Sequence, residues 1–176
     1  MRSQAWHLWE IDSTPTALAI RIDGTTVATS AQSMPLDSIT LSVSGPSWRP
    51  AFTANFDEFS FVPTVLAFAD GFEAPSLDPR WAVVQQSGTA TTSSAMLHSG
   101  ARSLALSTTT SGQNKNVGLT LSTPQPVHGR VSVWVYDAGA GVSSSNYIVL
   151  TVRNSTTGMF ADVLTFDYDN GPANGG

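Results

Sequence analysis

The chain has no cysteine and very little lysine or glutamate. Of its 176 residues one is lysine and three are glutamate, and charged residues make up only 12% of the chain. The absence of cysteine excludes a disulfide framework and a thiolate metal site. The shortage of Lys and Glu excludes a coiled coil or helical bundle, which needs both in bulk. With a net charge of −5 there is no basic stripe for phosphates, so we expect no nucleic-acid partner.

Long apolar runs are also missing. The longest covers residues 62–69 and is far too short to span a bilayer, so we expect no membrane insertion. Hydrophobic residues nevertheless make up 41%, with five Trp and eight Phe, which is too apolar for a disordered chain. Ser and Thr together account for 43 residues. Low lysine with high Ser, Thr and Gly resembles exported proteins, so the expected location is extracellular, at a cell surface or in a virion.

The hydrophobic pattern has period two almost everywhere. Residues 17–28 read as strand, Asp-Gly turn and strand, which is the strongest short-range hairpin signal. Clusters of Gly, Pro, Ser and Asn separate such segments, and no window keeps a helical period for three turns. The pattern is typical of an all-β antiparallel sandwich. Further strands are predicted over residues 37–43, 52–61, 80–85, 103–107, 117–121, 131–136, 147–152 and 160–168.

Motifs in the first third of the chain resemble part of a known family. They are Trp-His-Leu-Trp-Glu-Ile at 6–11, Ile-Asp-Gly at 22–24 and Asn-Phe-Asp-Glu-Phe at 55–59. Together they resemble the C-terminal half of a concanavalin-like (laminin-G-like) jelly roll. The resemblance implies a jelly-roll β-sandwich and, by fold analogy, a module that binds carbohydrate or adheres to surfaces.

Motifs that resemble the N-terminal half of the same sandwich follow later. They are Asp-Gly-Phe-Glu at 70–73, Pro-Arg-Trp at 79–81 and the segment 98–104. The resemblance therefore divides the chain into a C-terminal-half-like segment (1–63), a connector (64–69) and an N-terminal-half-like segment (70–176). This reversed order has three explanations: a circular permutant whose halves pair within one chain, a fragment of a tandem array, or a sandwich completed by a neighbouring chain.

Four acidic residues near the junction of the segments are the candidate metal ligands. Asp57 and Glu58 close the first segment, and Asp70 and Glu73 open the second. The resemblance implies a structural Ca²⁺ here, because acidic residues of related sandwiches hold one where the first and last strands meet, and oxygen ligands suit this cation. The alternative is that Asp57 and Glu58 are solvated residues beside a core strand and that Asp70 starts a turn.

No catalytic constellation is visible, so we expect the chain not to be an enzyme. None of the three Glu residues lies in the Glu-x-Asp-x-x-Glu pattern of concanavalin-like glycosidases. The three histidines, His7, His98 and His128, are far apart and lack metal-ligand spacing. No Gly-x-Ser-x-Gly elbow supports a serine nucleophile.

Aromatic residues are the better functional signal. Trp48, followed by Arg49, lies in the Gly- and Pro-rich loop 45–50, where an exposed ring can stack on a sugar. We predict Trp48 and Arg49 as ligand-binding residues. Trp81 and Trp134 fit instead the buried Trp that packs against the opposite sheet of a sandwich.

Two functions follow from these patterns. The first is a non-catalytic structural subunit, extracellular or in a virion, that assembles into a filament, surface layer or appendage when neighbouring chains complete each other's sandwich. Its partners are copies of itself. The second is a carbohydrate-binding or adhesion module of a surface protein, whose partner is a glycan.

Overall fold

Alternating hydrophobic residues produce strands throughout the described part of the chain. A computed structural model describes residues 4–45, 51–63, 67–85, 87–108, 115–137, 146–157 and 159–167. The strands are β1 (Ala5–Ser13), β2 (Leu18–Ile22), β3 (Thr25–Ser30), β4 (Leu36–Gly45), β5 (Thr53–Pro63), β6 (Phe68–Asp70), β7 (Trp81–Gln85), β8 (Gly88–Ser93), β9 (Ser103–Thr108), β10 (Lys115–Val127), β11 (Gly129–Asp137), β12 (Tyr147–Asn154) and β13 (Met159–Asp167). No described segment forms a helix that is long and apolar enough to cross a membrane.

The strands form two antiparallel sheets, as the period-two pattern predicts. Among the described residues, the first sheet has eight strands in the order β3-β2-β1-β11-β5-β9-β8, with β6 also paired to β5. The second has five strands in the order β13-β12-β4-β10-β7. The all-β, two-sheet architecture is thus confirmed, whereas jelly-roll topology and the permuted order stay predictions.

One hydrophobic core fills the space between the sheets. Along β4 and β11 every second residue is buried, so each strand presents one apolar face to the core. The largest fully buried side chains include Trp9, Phe56, Phe59, Phe61 and Phe72. Their burial supplies most of the stability of a sandwich that has no disulfide.

In both sheets, strands from one sequence segment lie next to strands from the other. In the first sheet β11 lies between β1 and β5, and β5 also pairs with β9. In the second sheet β4 lies between β10 and β12. In this structure the sandwich is therefore built within a single chain. Phe52, Phe56 and Trp81, which chain-to-chain completion would bury against a neighbour, are buried by the chain itself.

Two local features match the sequence prediction closely. Asp23 and Gly24 have φ values of 51° and 74°, as the type I′ turn of a β-hairpin requires. Trp81 is buried, with its ring edge-on to Phe59 at 4.9 Å and to Phe68 at 5.5 Å. This confirms the prediction that Trp81 packs in the core.

Candidate functional site

The outer face of the first sheet carries a row of aromatic side chains. Along β11, Val131, Val133 and Val135 point into the core, so the residues between them point outward. Trp134 and Tyr136 are two of these outward residues. In the register with β1 they lie opposite Leu8 and Trp6, respectively. Trp134 is thus half-buried on the outer face, and the prediction that it packs against the opposite sheet was wrong.

His98 completes this group from a loop rather than from a strand. Its imidazole stacks on the Trp134 indole with ring centroids 3.9 Å apart and an angle of 16° between the planes. Trp6 lies edge-on to both His98 (5.7 Å) and Tyr136 (5.4 Å). We call the five side chains Trp6, Leu8, His98, Trp134 and Tyr136 the aromatic platform. All five are half-buried and keep part of their surface in solvent.

Two carboxylates hold the loop 94–102 that carries His98. Asp57 Oδ2 accepts hydrogen bonds from the backbone N–H groups of His98 (3.0 Å) and Ser99 (3.2 Å). Glu73 Oε2 accepts those of Ala101 (2.7 Å) and Arg102 (3.1 Å). Four backbone donors of one loop are thus satisfied by carboxylates from outside it, which fixes His98 over Trp134.

A β-bulge in β5 places the first of these carboxylates. Ser132 pairs with Ser60 and Trp134 pairs with Asp57, so Glu58 and Phe59 together face the single residue between them on β11. Glu58 adopts φ +47°, which is uncommon for a residue other than glycine. The bulge allows Asp57 and Glu58 to reach the same loop from adjacent positions.

The two acids at the bulge have different surroundings. Asp57 is completely buried; burial raises its pKa and outweighs the hydrogen bonds from Ser99, His98 and Glu58 that would lower it. Glu58 is exposed, and its Oε1 accepts a 2.6 Å hydrogen bond from Ser99 Oγ. Its Oε2 lies 3.0 Å from His98 Nδ1, within ion-pair distance but not in hydrogen-bonding geometry.

Beyond the platform, the same sheet face becomes ionic. Asp12 forms an ion pair with Arg21 and accepts two hydrogen bonds from Arg130, at 2.6 and 3.1 Å. Burial alone would raise the pKa of Asp12, but the hydrogen bonds from Arg130 and Arg21 outweigh it and lower the pKa. Glu10 lies between this ionic group and the platform, opposite Ser132 on β11.

The structure places the four predicted calcium ligands around the loop and the β5–β6 corner. Asp70 uses Oδ1 to accept the N–H of Phe72 (2.7 Å) and Oδ2 to accept the indole N–H of Trp81 (2.8 Å). Asp57 and Glu73 are bound to backbone N–H groups as described above. Within the described ranges no group of three or more His, Asp or Glu side chains could hold a metal ion. Calcium binding by these four residues stays a prediction, and melting with and without a chelator tests it.

The predicted ligand-binding residues Trp48 and Arg49 lie outside the described residues. Sequence reasoning did not assign a ligand to the aromatic platform, although one signal was present: residues 131–136 alternate Val with Ser, Trp and Tyr. Such alternation predicts that Trp134 and Tyr136 share a face, but it does not show which face is solvated. The hydrophobic pattern does not reveal the position of His98, because His98 lies in a loop and not in an alternating strand.

No protein-family model matches the chain, and no curated protein matches it significantly.

Proposed function

We propose that this chain is a non-catalytic carbohydrate-binding module of a surface protein, and that the aromatic platform is its binding surface. The proposal depends chiefly on Trp6, Trp134 and Tyr136, which lie side by side on the outer face of the first sheet. One face of a pyranose ring presents C–H groups that pack on aromatic rings, while its hydroxyl groups need polar partners at the edge. Ser132 and Glu10 stand next to the platform and offer such partners.

The way the platform is held supports the same function. Loop 94–102 is fixed by Asp57 and Glu73 before any ligand arrives. His98 and Trp134 are therefore stacked in advance, and binding does not have to order them. A rigid surface of this kind suits a chain whose function is attachment.

The buried acid beside the platform, Asp57, supports a non-catalytic assignment. A glycosidase needs an acid that can reach the glycosidic oxygen of its substrate. Asp57 has the raised pKa typical of such an acid, but it is completely buried and accepts three backbone N–H groups. Two of these three N–H groups belong to loop 94–102, so the Asp57 carboxylate holds the loop and is not available to a substrate.

A matched pair of tyrosine variants tests the proposal. Tyr136 and Tyr147 are both half-buried, and each lies between inward-pointing residues, Tyr136 on the first sheet and Tyr147 on the second. On a polysaccharide array and in affinity electrophoresis, Tyr136→Ala should weaken binding at least about tenfold. Tyr147→Ala should bind like the wild type. Equal loss in both variants, or a wild type that retains no polysaccharide, would refute the proposal.

We propose a structural subunit as the second candidate, because one feature favours exchange between chains. Every pairing of β1, β4 and β5 with β9, β10, β11 or β12 joins the two sequence segments, and the segments connect at the β5–β6 hairpin. If that hairpin opened, the same pairings could form between neighbouring chains, giving open polymers. The expected location, extracellular, on a cell surface or in a virion, suits both candidates.

A further inference from the structure

We propose that the glycan bound by the aromatic platform is electrically neutral; this rests on the proposed carbohydrate-binding function. The charged side chains that surround the platform indicate this. On the described outer face of the first sheet, the arginines of β2 and β11 are Arg21 and Arg130, and both are bound to Asp12. Neither offers an uncommitted cation to a carboxylate or sulfate on a sugar.

The acids on this face outnumber those arginines. Glu10 lies next to the platform, and Glu58 reaches its edge beside His98. Arg130 is hydrogen-bonded to Asp12, which is the main reason that its pKa is raised, and the charge of Glu10 adds to the same effect. A uronate or sulfated sugar stacked on Trp6 or Tyr136 would have its charge close to carboxylates, and like charges near a partly desolvated surface repel.

The same pairing weakens the case for a cationic amino sugar. Asp12 is saturated by two arginines, and Asp23 is bound to the backbone N–H of Leu8 and to His7. Glu58 accepts Ser99 Oγ and lies against His98. Except at Glu10, an ammonium group would have to compete with these existing partners for its counter-charge. Hydroxyl groups, in contrast, can bond to carboxylate, serine and imidazole edges without adding charge.

Comparison of soluble polysaccharides of different charge tests this inference. The probes are a neutral β-glucan, a neutral xylan, a polygalacturonate, a sulfated galactan and chitosan. The wild type should retain a neutral polymer, with a dissociation constant that changes less than about twofold between low and high salt, because a neutral ligand releases no counterions. Tighter binding of polygalacturonate, sulfated galactan or chitosan, lost in salt, would overturn the inference but leave carbohydrate binding intact. No binding of any polymer would refute the proposed function itself.

A charge reversal next to the platform gives a second measurement. Glu10→Lys places an uncommitted ammonium beside Leu8 and Ser132, and should confer binding to polygalacturonate that disappears at high salt. Glu10→Gln is the matched control, since it removes the carboxylate without adding a cation and should not gain that binding. If both variants bind polygalacturonate equally, or if neither differs from the wild type, charge does not select the ligand here.

Discussion

Gly100 is the residue on which the anchoring of the platform loop depends most directly. Its φ is +63°, a conformation that side-chain-bearing residues rarely adopt. A Cβ at this position would overlap the carboxylate group of Glu73. The carboxylate that holds the loop thus occupies the space that any other residue would need.

Gly100→Ala should therefore cost more stability than backbone strain alone. We expect a loss of about 3 kcal/mol, of which about 1–2 kcal/mol is the left-handed conformation and the rest is displacement of Glu73 from its two N–H donors. Gly24→Ala is the control, because Gly24 has a similar φ of +74° but nothing within 4 Å of the added Cβ. Urea unfolding of both variants measures the difference, and equal losses would contradict a close contact with Glu73.

Asp12 predicts a pH dependence with a definite sign. Its pKa is lowered in the folded state despite burial, because Arg130 and Arg21 bind its ionised form. The stability that it contributes is present above its ordinary pKa of 3.8 and is lost as the pH falls through the folded-state pKa. Asp57 has the opposite effect on the pH dependence of stability: burial raises its pKa, so protonation of Asp57 favours the folded state.

Asp12→Asn should accordingly lower the free energy of unfolding by about 1–2 kcal/mol at neutral pH, because two arginines lose an ionised partner. The difference in the free energy of unfolding between wild type and variant should become smaller as the pH falls well below 4. Glu10→Gln, on the same strand face, should show little change at either pH. If Asp12→Asn lowers the free energy of unfolding by the same amount in acid as at neutral pH, the ion pairs of Asp12 do not stabilise the fold.

At the level of strands and loops, sequence periodicity predicts single strands well and their interruptions poorly. β4, β11 and β12 alternate cleanly and were predicted near their observed bounds. β8 was not predicted, because its sequence Gly-Thr-Ala-Thr-Thr-Ser has little hydrophobic contrast. The bulge at Glu58 was also missed, although two polar residues between Phe56 and Phe59 break the alternation there. A bulge is defined by the register with the partner strand, here β11, and the local sequence of β5 does not show which strand that is.

The candidate site follows the same rule. Trp134 and Tyr136 share a face by local periodicity, so these two of the five platform residues were within reach of sequence analysis. His98 reaches Trp134 only because Asp57 and Glu73, from distant elements, hold its loop. Such contacts depend on tertiary pairing, which a single sequence does not supply.

Asp57→Asn tests whether this carboxylate holds the platform loop. The amide has one neutral oxygen in place of two carboxylate oxygens, so the N–H groups of His98 and Ser99 keep only a weaker acceptor when the NH₂ faces the Glu58 N–H, and none in the other orientation. Hydrogen exchange should rise by about tenfold or more in residues 94–102 and stay unchanged in β4. Glycan binding should weaken in parallel with Tyr136→Ala. Unchanged exchange in the loop would contradict the anchoring role.

For the whole molecule, the open question is whether the two sequence segments pair within one chain or between chains. The structure pairs them within one chain, and the described core residues pack against one another. Exchange between chains would use the same strand registers and bury the same residues, so burial alone does not separate a monomeric module from a polymer. A disulfide introduced between two residues that are partners in the register distinguishes the monomer from the polymer.

Thr53 on β5 and Ser107 on β9 provide that trap. They are direct partners in the register, their hydroxyl oxygens are 2.7 Å apart, and they belong to different sequence segments. Because the chain has no cysteine, Thr53→Cys with Ser107→Cys introduces the only thiols. After mild oxidation, a carbohydrate-binding monomer should run on a non-reducing gel as one compact species near 18.5 kDa. Each single variant is the control and can form nothing larger than a disulfide-linked dimer.

A ladder of covalent oligomers from the double variant would instead show that neighbouring chains exchange segments. Thr40 and Thr120, whose hydroxyl oxygens are 2.8 Å apart across β4 and β10, allow the same experiment in the second sheet. Because both pairs join residues 1–63 to residues 70–176, complete exchange should give ladders with both. A ladder from both pairs would make assembly the better-supported function, whereas compact monomers from both would leave the aromatic platform as the surface through which this chain acts.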